Sequence, residues 1–205
     1  MFDPSNLDDK DNWLGGFYEL AIEVGPTHDG RLEQTLTALW RIAAIDGCFT
    51  DARGERSRPV AVPVSLSWLE TAGGLSGLVT LPGNRVSVCG VLTMREDEAG
   101  VGHSDWLVLY VPLGALARID VRIGGFPFGD EGGAASLSLR RPLDTWLAEV
   151  GTRIYSEVPF ELALVGLEPL GEIHADELHA GIPKVRMYGI LAPMSGKFRY
   201  YEATN

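Results

Sequence analysis

Four histidines, His28, His103, His174 and His179, each lie within two residues of an acid, and acid–base or metal chemistry would be built from them. The densest group is His174-Ala175-Asp176-Glu177-Leu178-His179. On a helix, residues five apart sit about 140° around the axis from one another, so these two histidines do not share a face. The pairs that approach are His174 with Glu177 and Asp176 with His179. That i,i+3 spacing is also what a solvated helix with local charge pairs supplies. A zinc-protease box needs histidines at i and i+4 with a glutamate beside the first, and the segment departs from it on both counts.

His103-Ser104-Asp105 and Thr27-His28-Asp29 hold residue types used in a hydrolytic relay. Relays are assembled from distant segments, however, because sequence neighbours rarely point at a common atom. Asp29 is read as a helix cap and Asp105 as a turn residue. Gly74-Leu75-Ser76-Gly77 is not the G-x-S-x-G of a nucleophile elbow. Gly124 to Gly129 has the look of a phosphate loop, but Asp130 and Glu131 follow where lysine and serine or threonine are required. No G-x-G-x-x-G opens a long helix, so no nucleotide site is visible and no cofactor or metal is expected. Cys48 and Cys89 form neither a disulfide framework nor a zinc motif and read as inert core thiols.

The elements that position these residues are those of an ordinary globular chain of 205 residues, with 45% hydrophobic and 22% charged residues. In 17–24, Tyr18, Leu20, Ile22 and Val24 alternate with Glu19, Ala21 and Glu23, which predicts a strand with one buried and one wet face. Leu32, Leu36, Leu39, Trp40 and Ala43 recur at helical spacing after Asp29, ending near Asp46-Gly47. From 51 to 63 the chain reads as a surface connection. Residues 75–81 and 85–95 across Pro82-Gly83-Asn84 make the strongest hairpin, in which Gly90 suggests a bulge or a close neighbour.

Residues 106–111 are fully apolar and predict a central strand. Pro112 starts a short helical turn, 121–135 is an irregular glycine-rich stretch, and 136–139 reads as a short strand. Pro142 then opens a second amphipathic helix through Val158. A strand over 160–167, a short helix over 175–180 and a closing hairpin of 185–192 with 197–201 complete the order. Tyr18-Glu19-Leu20-Ala21-Ile22 echoes Phe160-Glu161-Leu162-Ala163-Leu164, but no fixed period supports a repeat.

This order predicts an α+β fold: a mainly antiparallel twisted sheet of about seven or eight strands with two long amphipathic helices on one face. The expected organisation is an acidic N-terminal segment over 1–13, one α+β domain over 14–202 and a short tail over 203–205. No signal-peptide pattern and no 18-residue apolar run occur, which points to a cytoplasmic protein.

Lys+Arg 17 against Asp+Glu 28 leaves a net charge of −11. Such a surface repels nucleic acid and anionic lipid and attracts basic partners. Arg53, Arg56, Arg58 and the pair Arg140-Arg141 are too few and too mixed with acids to form a basic groove, and read as solvated. The first functional expectation is therefore a non-enzymatic protein-binding module, an immunity-type inhibitor of a basic partner, with Phe126, Phe128, Asp130 and Glu131 as its contact residues. Those two phenylalanines also fit a plainer role, folding onto the core. The alternative is an enzyme or small-ligand-binding protein whose site gathers separated residues, with His103, Asp105, His174 and Glu177 as members. A structural subunit is the third reading.

Overall fold

The computed structural model describes residues 5–50, 59–95, 104–123, 128, 133–194 and 196–205. Eight antiparallel strands form one sheet: β1 (Phe17–Pro26), β2 (Asp46–Thr50), β3 (Leu75–Leu81), β4 (Arg85–Arg95), β5 (Ser104–Pro112), β6 (Leu162–Leu167), β7 (Gly189–Met194) and β8 (Lys197–Tyr201). Their spatial order is β2-β3-β4-β5-β1-β6-β7-β8, so the apolar β5 lies at the centre beside β1, as its composition predicts. Among the described residues no helix is long and apolar enough to cross a membrane.

Two long helices, α2 (Asp29–Ile42) and α5 (Gly133–Glu157), bury their apolar stripes in one cluster with Tyr18, Leu20 and Ile22 of β1. Shorter elements are α1 (Ser5–Asp8), α3 (Leu66–Ala72), α4 (Leu113–Ile119) and 3-10 turns at Lys10–Trp13 and Ala175–Ala180. Helix α3 is not anticipated from sequence. It is capped by the Ser65 Oγ, which accepts from the Trp68 amide, and closed by Gly73 at φ 71°.

Several expectations need correction. His28, not Asp29, caps α2, its Nδ1 accepting from the Arg31 amide, while Asp29 pairs with Arg95 at 2.7 Å. Residues 136–139 belong to α5, because the periodicity there is carried by buried polar residues: Ser136 and Arg140 precede Leu143 and Leu147 at helical spacing. Pro142 is inside that helix on its exposed side, where water can satisfy the carbonyl it leaves without a donor. Arg140 is not solvated: it is buried and donates to the carbonyls of Met187 (2.9 Å) and Asn205 (2.6 Å). Arg53, Arg56 and Arg58 lie outside the described residues.

The hairpin of β3 and β4 forms as expected, and Gly90 does have a close neighbour. A Cβ there would lie 2.1 Å from Cζ of Tyr110 on β5. Of the cysteines, Cys89 is fully buried and Cys48 half-buried, both are free, and burial pushes the Cys48 thiol up to about 11.

The correction that matters for function concerns β1. Its supposed wet face is dry: Glu19 is 6% exposed, Ala21 0% and Glu23 3%. The strand is hydrogen-bonded on both edges, to β5 and β6. On the sheet face away from α2 and α5 it is roofed by the chain that follows β6. Leu170, Ile173, Leu178 and Tyr188 of that segment pack with Ala21, Trp106, Val108, Leu162 and Leu164.

Candidate functional site

Alternation along β1 sends Phe17, Glu19, Ala21 and Glu23 to the roofed face. Glu19 lies opposite Tyr110 of β5 and Gly166 of β6, and Glu23 opposite Trp106 and Leu162. Two carboxylates are thus carried into an otherwise apolar layer by the same period-two pattern that buries their neighbours.

Glu23 is held by the roof. Its Oε2 accepts from the Ala175 amide at 2.8 Å, and its Oε1 lies 3.7 Å from Nδ1 of His174. Burial raises its carboxyl above the usual range, while the Ala175 amide, the Ser104 hydroxyl and His174 pull it down and Glu161 pushes it up. The His174 ring meets Trp106 edge-on with centroids 5.6 Å apart, and the His174 amide donates to Glu177 Oε2 at 2.8 Å. This reciprocal cap explains why His174 and Glu177, three apart in sequence, come together at the start of the 3-10 turn.

Glu19 is less well provided for. Its Oε2 is buried with no hydrogen-bond partner among the described residues. Burial first, and the neighbouring Glu168 second, raise its carboxyl to about 7, with a hydrogen bond from the Leu170 amide in opposition. Glu168 is one of three non-glycine residues with positive φ (47°) among those described. Its amide donates to the Phe17 carbonyl at 3.0 Å, and its carboxylate packs on Gly16, where a Cβ would lie 2.7 Å from Oε1. Neither Glu19 nor Glu168 has a lysine or arginine partner among the described residues.

Four residues along a strand separate Glu19 from Glu23 by about 13 Å. The carboxyl pairs that cleave glycosidic bonds stand about 5–10 Å apart, so these two do not form such a pair. No three His, Cys, Asp or Glu side chains among the described residues could hold a metal ion together. What the arrangement can do is accept positive charge and exchange a proton near neutral pH.

On the opposite face, the Tyr18 hydroxyl donates to Asp144 Oδ1 within the core, and burial raises Asp144 to about 6 against the pull of that bond and of Arg140. An open cleft of about 770 Å³ lies at the start of α2, lined among others by His28, Arg31, Gln34, Glu157 and Glu161.

Of the residues singled out from sequence, His103, Phe126, Asp130 and Glu131 lie outside the described residues. Phe128 is a core residue and not an exposed anchor: it is 1% exposed, its ring 5.4 Å from that of Tyr18. Asp105 precedes Trp106 on β5 and therefore points to the other face of the sheet from His174. It is buried at the start of α2, where Oδ2 accepts from the His28 amide at 3.0 Å and Arg95 Nε lies 3.6 Å from Oδ1. His174 and Glu177 adjoin; Asp105 does not join them, and none of the three lines the cleft. Glu19 and Glu23 are the members that residue patterns missed. No local pattern reports their burial, since the cover comes from the segment after β6, far along the chain.

Comparison of the chain with protein-family models, with curated proteins and with solved structures finds no match.

Proposed function

We propose that this chain is a non-enzymatic protein-binding module that docks a basic partner protein on its roofed sheet face, in the manner of an immunity-type inhibitor. One observation carries the reading. Between Arg153 and Lys184 the sequence holds Glu157, Glu161, Glu168, Glu172, Asp176 and Glu177 and not one lysine or arginine. Glu157 is paired with Arg41, but Glu168, Glu172, Asp176 and Glu177 are exposed on the roof and unpaired with any lysine or arginine among the described residues. Their field is felt inside the molecule: after burial, Glu172 and Glu177 are what hold the Tyr188 hydroxyl above its usual range.

Four like charges within ten residues repel one another, the more so at low salt, where the screening length is greater than its value of about 10 Å at 0.1 M. A basic surface laid on them relieves that repulsion, steers encounter and rejects acidic competitors. The charge complementarity supports a partner rich in lysine or arginine; it does not call for bond-making chemistry.

The reading is tested with the neutralised roof E168Q/E172Q/D176N/E177Q, whose exposed side chains keep their shape. Binding of a labelled eight-lysine peptide to the unaltered protein is expected to weaken at least tenfold between about 0.05 and 0.2 M salt, and to be reduced at least tenfold at low salt in the variant. Equal, salt-insensitive binding by both proteins, or none by either, contradicts the proposal.

A further inference from the structure

We infer that Glu19 and Glu168 form the anchor of this face, together receiving one lysine or arginine side chain of the basic partner. The inference rests on the docking reading above and adds the point at which the partner is held. An acidic roof alone would offer only diffuse attraction. Beneath it, however, lies a carboxylate more than nine-tenths buried whose Oε2 meets no donor, beside a second carboxylate that is exposed. A buried acceptor without a partner is a standing cost to the fold, relieved when a donor arrives. A cationic donor satisfies both oxygens' charge at once.

Every group that faces Glu19 fits this occupant. From the segment after β6 comes the Glu168 carboxylate, with the Leu170 amide as the one donor. From β5 comes Tyr110, whose ring meets Phe17 edge-on at 4.8 Å, and from β6 the side-chain-free Gly166. Along β1 itself Phe17 stands two residues before Glu19 and Glu23 four after it, the latter engaged by His174 and Ala175. Among these groups carboxylates set the charge. Glu168 is exposed at the surface, and its charge is felt by the buried Glu19.

Docking has a proton signature. Burial and Glu168 hold the Glu19 carboxyl at about 7, so at pH 6 it is mostly protonated. A cation placed beside it favours the carboxylate; the proton leaves for the buffer, and an ion pair replaces the buried acid.

The test titrates the full chain with an eight-lysine peptide by calorimetry in buffers of different ionisation enthalpy, from pH 6 to 8, with E19Q and E168Q in parallel. Affinity of the unaltered protein should rise about tenfold across that range, with close to one proton released per binding event at pH 6. In E19Q both the rise and the Glu19 share of released protons should vanish, and affinity at pH 8 should fall about tenfold. E168Q should weaken binding by a similar factor, and because Glu168 is exposed it serves even if E19Q does not fold. Salt-sensitive binding whose affinity and proton release are the same in all three proteins overturns the anchor and leaves the docking face standing. No salt-sensitive binding by any of them overturns both.

Discussion

At pH 8, Glu19→Gln is expected to make the fold more stable, by about 3 kcal/mol, even though it removes a charge from the face that binds. The magnitude follows from the rise of the Glu19 carboxyl from 4.5 to about 7 on folding, each unit corresponding to about 1.4 kcal/mol. The sign follows from proton binding. A group whose folded value is raised holds its proton more tightly in the native state, so stability is highest below the unfolded value and is lost as pH climbs through the folded one. For Glu19 the loss falls between about 4.5 and 7. Asp144, raised from 3.8 to about 6, adds a loss in a lower window on the other side of the sheet. Glu23 is raised as well, which deepens the same trend.

Urea titrations at pH 5 and pH 8 should therefore show the unaltered protein more stable at the lower pH, with E19Q narrowing the gap by about 3 kcal/mol. A protein equally stable at both values, or an E19Q variant less stable at pH 8, contradicts the account. A residue that destabilises the chain which carries it is what a binding site under stability–function conflict looks like.

The second large effect is expected at Gly90. Its substitution by alanine places a Cβ 2.1 Å from Tyr110 Cζ and 2.2 Å from the hydroxyl. The ring has nowhere to withdraw: it is 1% exposed and meets Phe17 at 4.8 Å and Trp13 at 6.4 Å. Overpacking of this kind should cost about 3 kcal/mol, read as a lowered urea midpoint together with altered fluorescence of Trp13. Gly73→Ala is the internal comparison. Nothing lies within 4 Å of the Cβ it would create, so only its φ of 71° resists, and it should cost about 1 kcal/mol. Equal losses at the two positions would show that close packing of Tyr110 over Gly90 is not what resists a side chain there.

Much of the sheet was legible because its information is local. Period-two alternation in β1, the turn at Pro82-Gly83-Asn84 and the apolar run of β5 each announce a strand within a few residues, and β5 falls at the centre as its composition requires. Helix α5 was legible only from Pro142 onward, since its first turns bury Ser136 and Arg140, residue types that a count of apolar positions passes over. The cap of α2 was misassigned by one residue because histidine is an uncommon cap and aspartate a common one.

The site was largely illegible for a different reason. Reading Glu19 and Glu23 as wet follows correctly from β1 alone, and what overrides it is a segment about 150 residues later in the chain that folds back over them. Local patterns do not report long-range coverage. The charge imbalance of −11 announced an affinity for basic partners but not where on the surface it is concentrated. Conversely, His174 and Glu177 were noticed as a pair, and their nearness proves to be a reciprocal cap whose histidine faces Glu23, a residue read as solvated.

The central claim is that this chain buries an acid with no cation partner among the described residues beneath a negatively charged roof. Carboxyl-carbon NMR followed across a pH titration tests it most directly, with the Glu19 resonance identified by its disappearance in E19Q. The account predicts a midpoint near 7 for that resonance. A midpoint at the ordinary glutamate value near 4.5 would mean that Glu19 is solvated or already paired, and the anchor would have no basis.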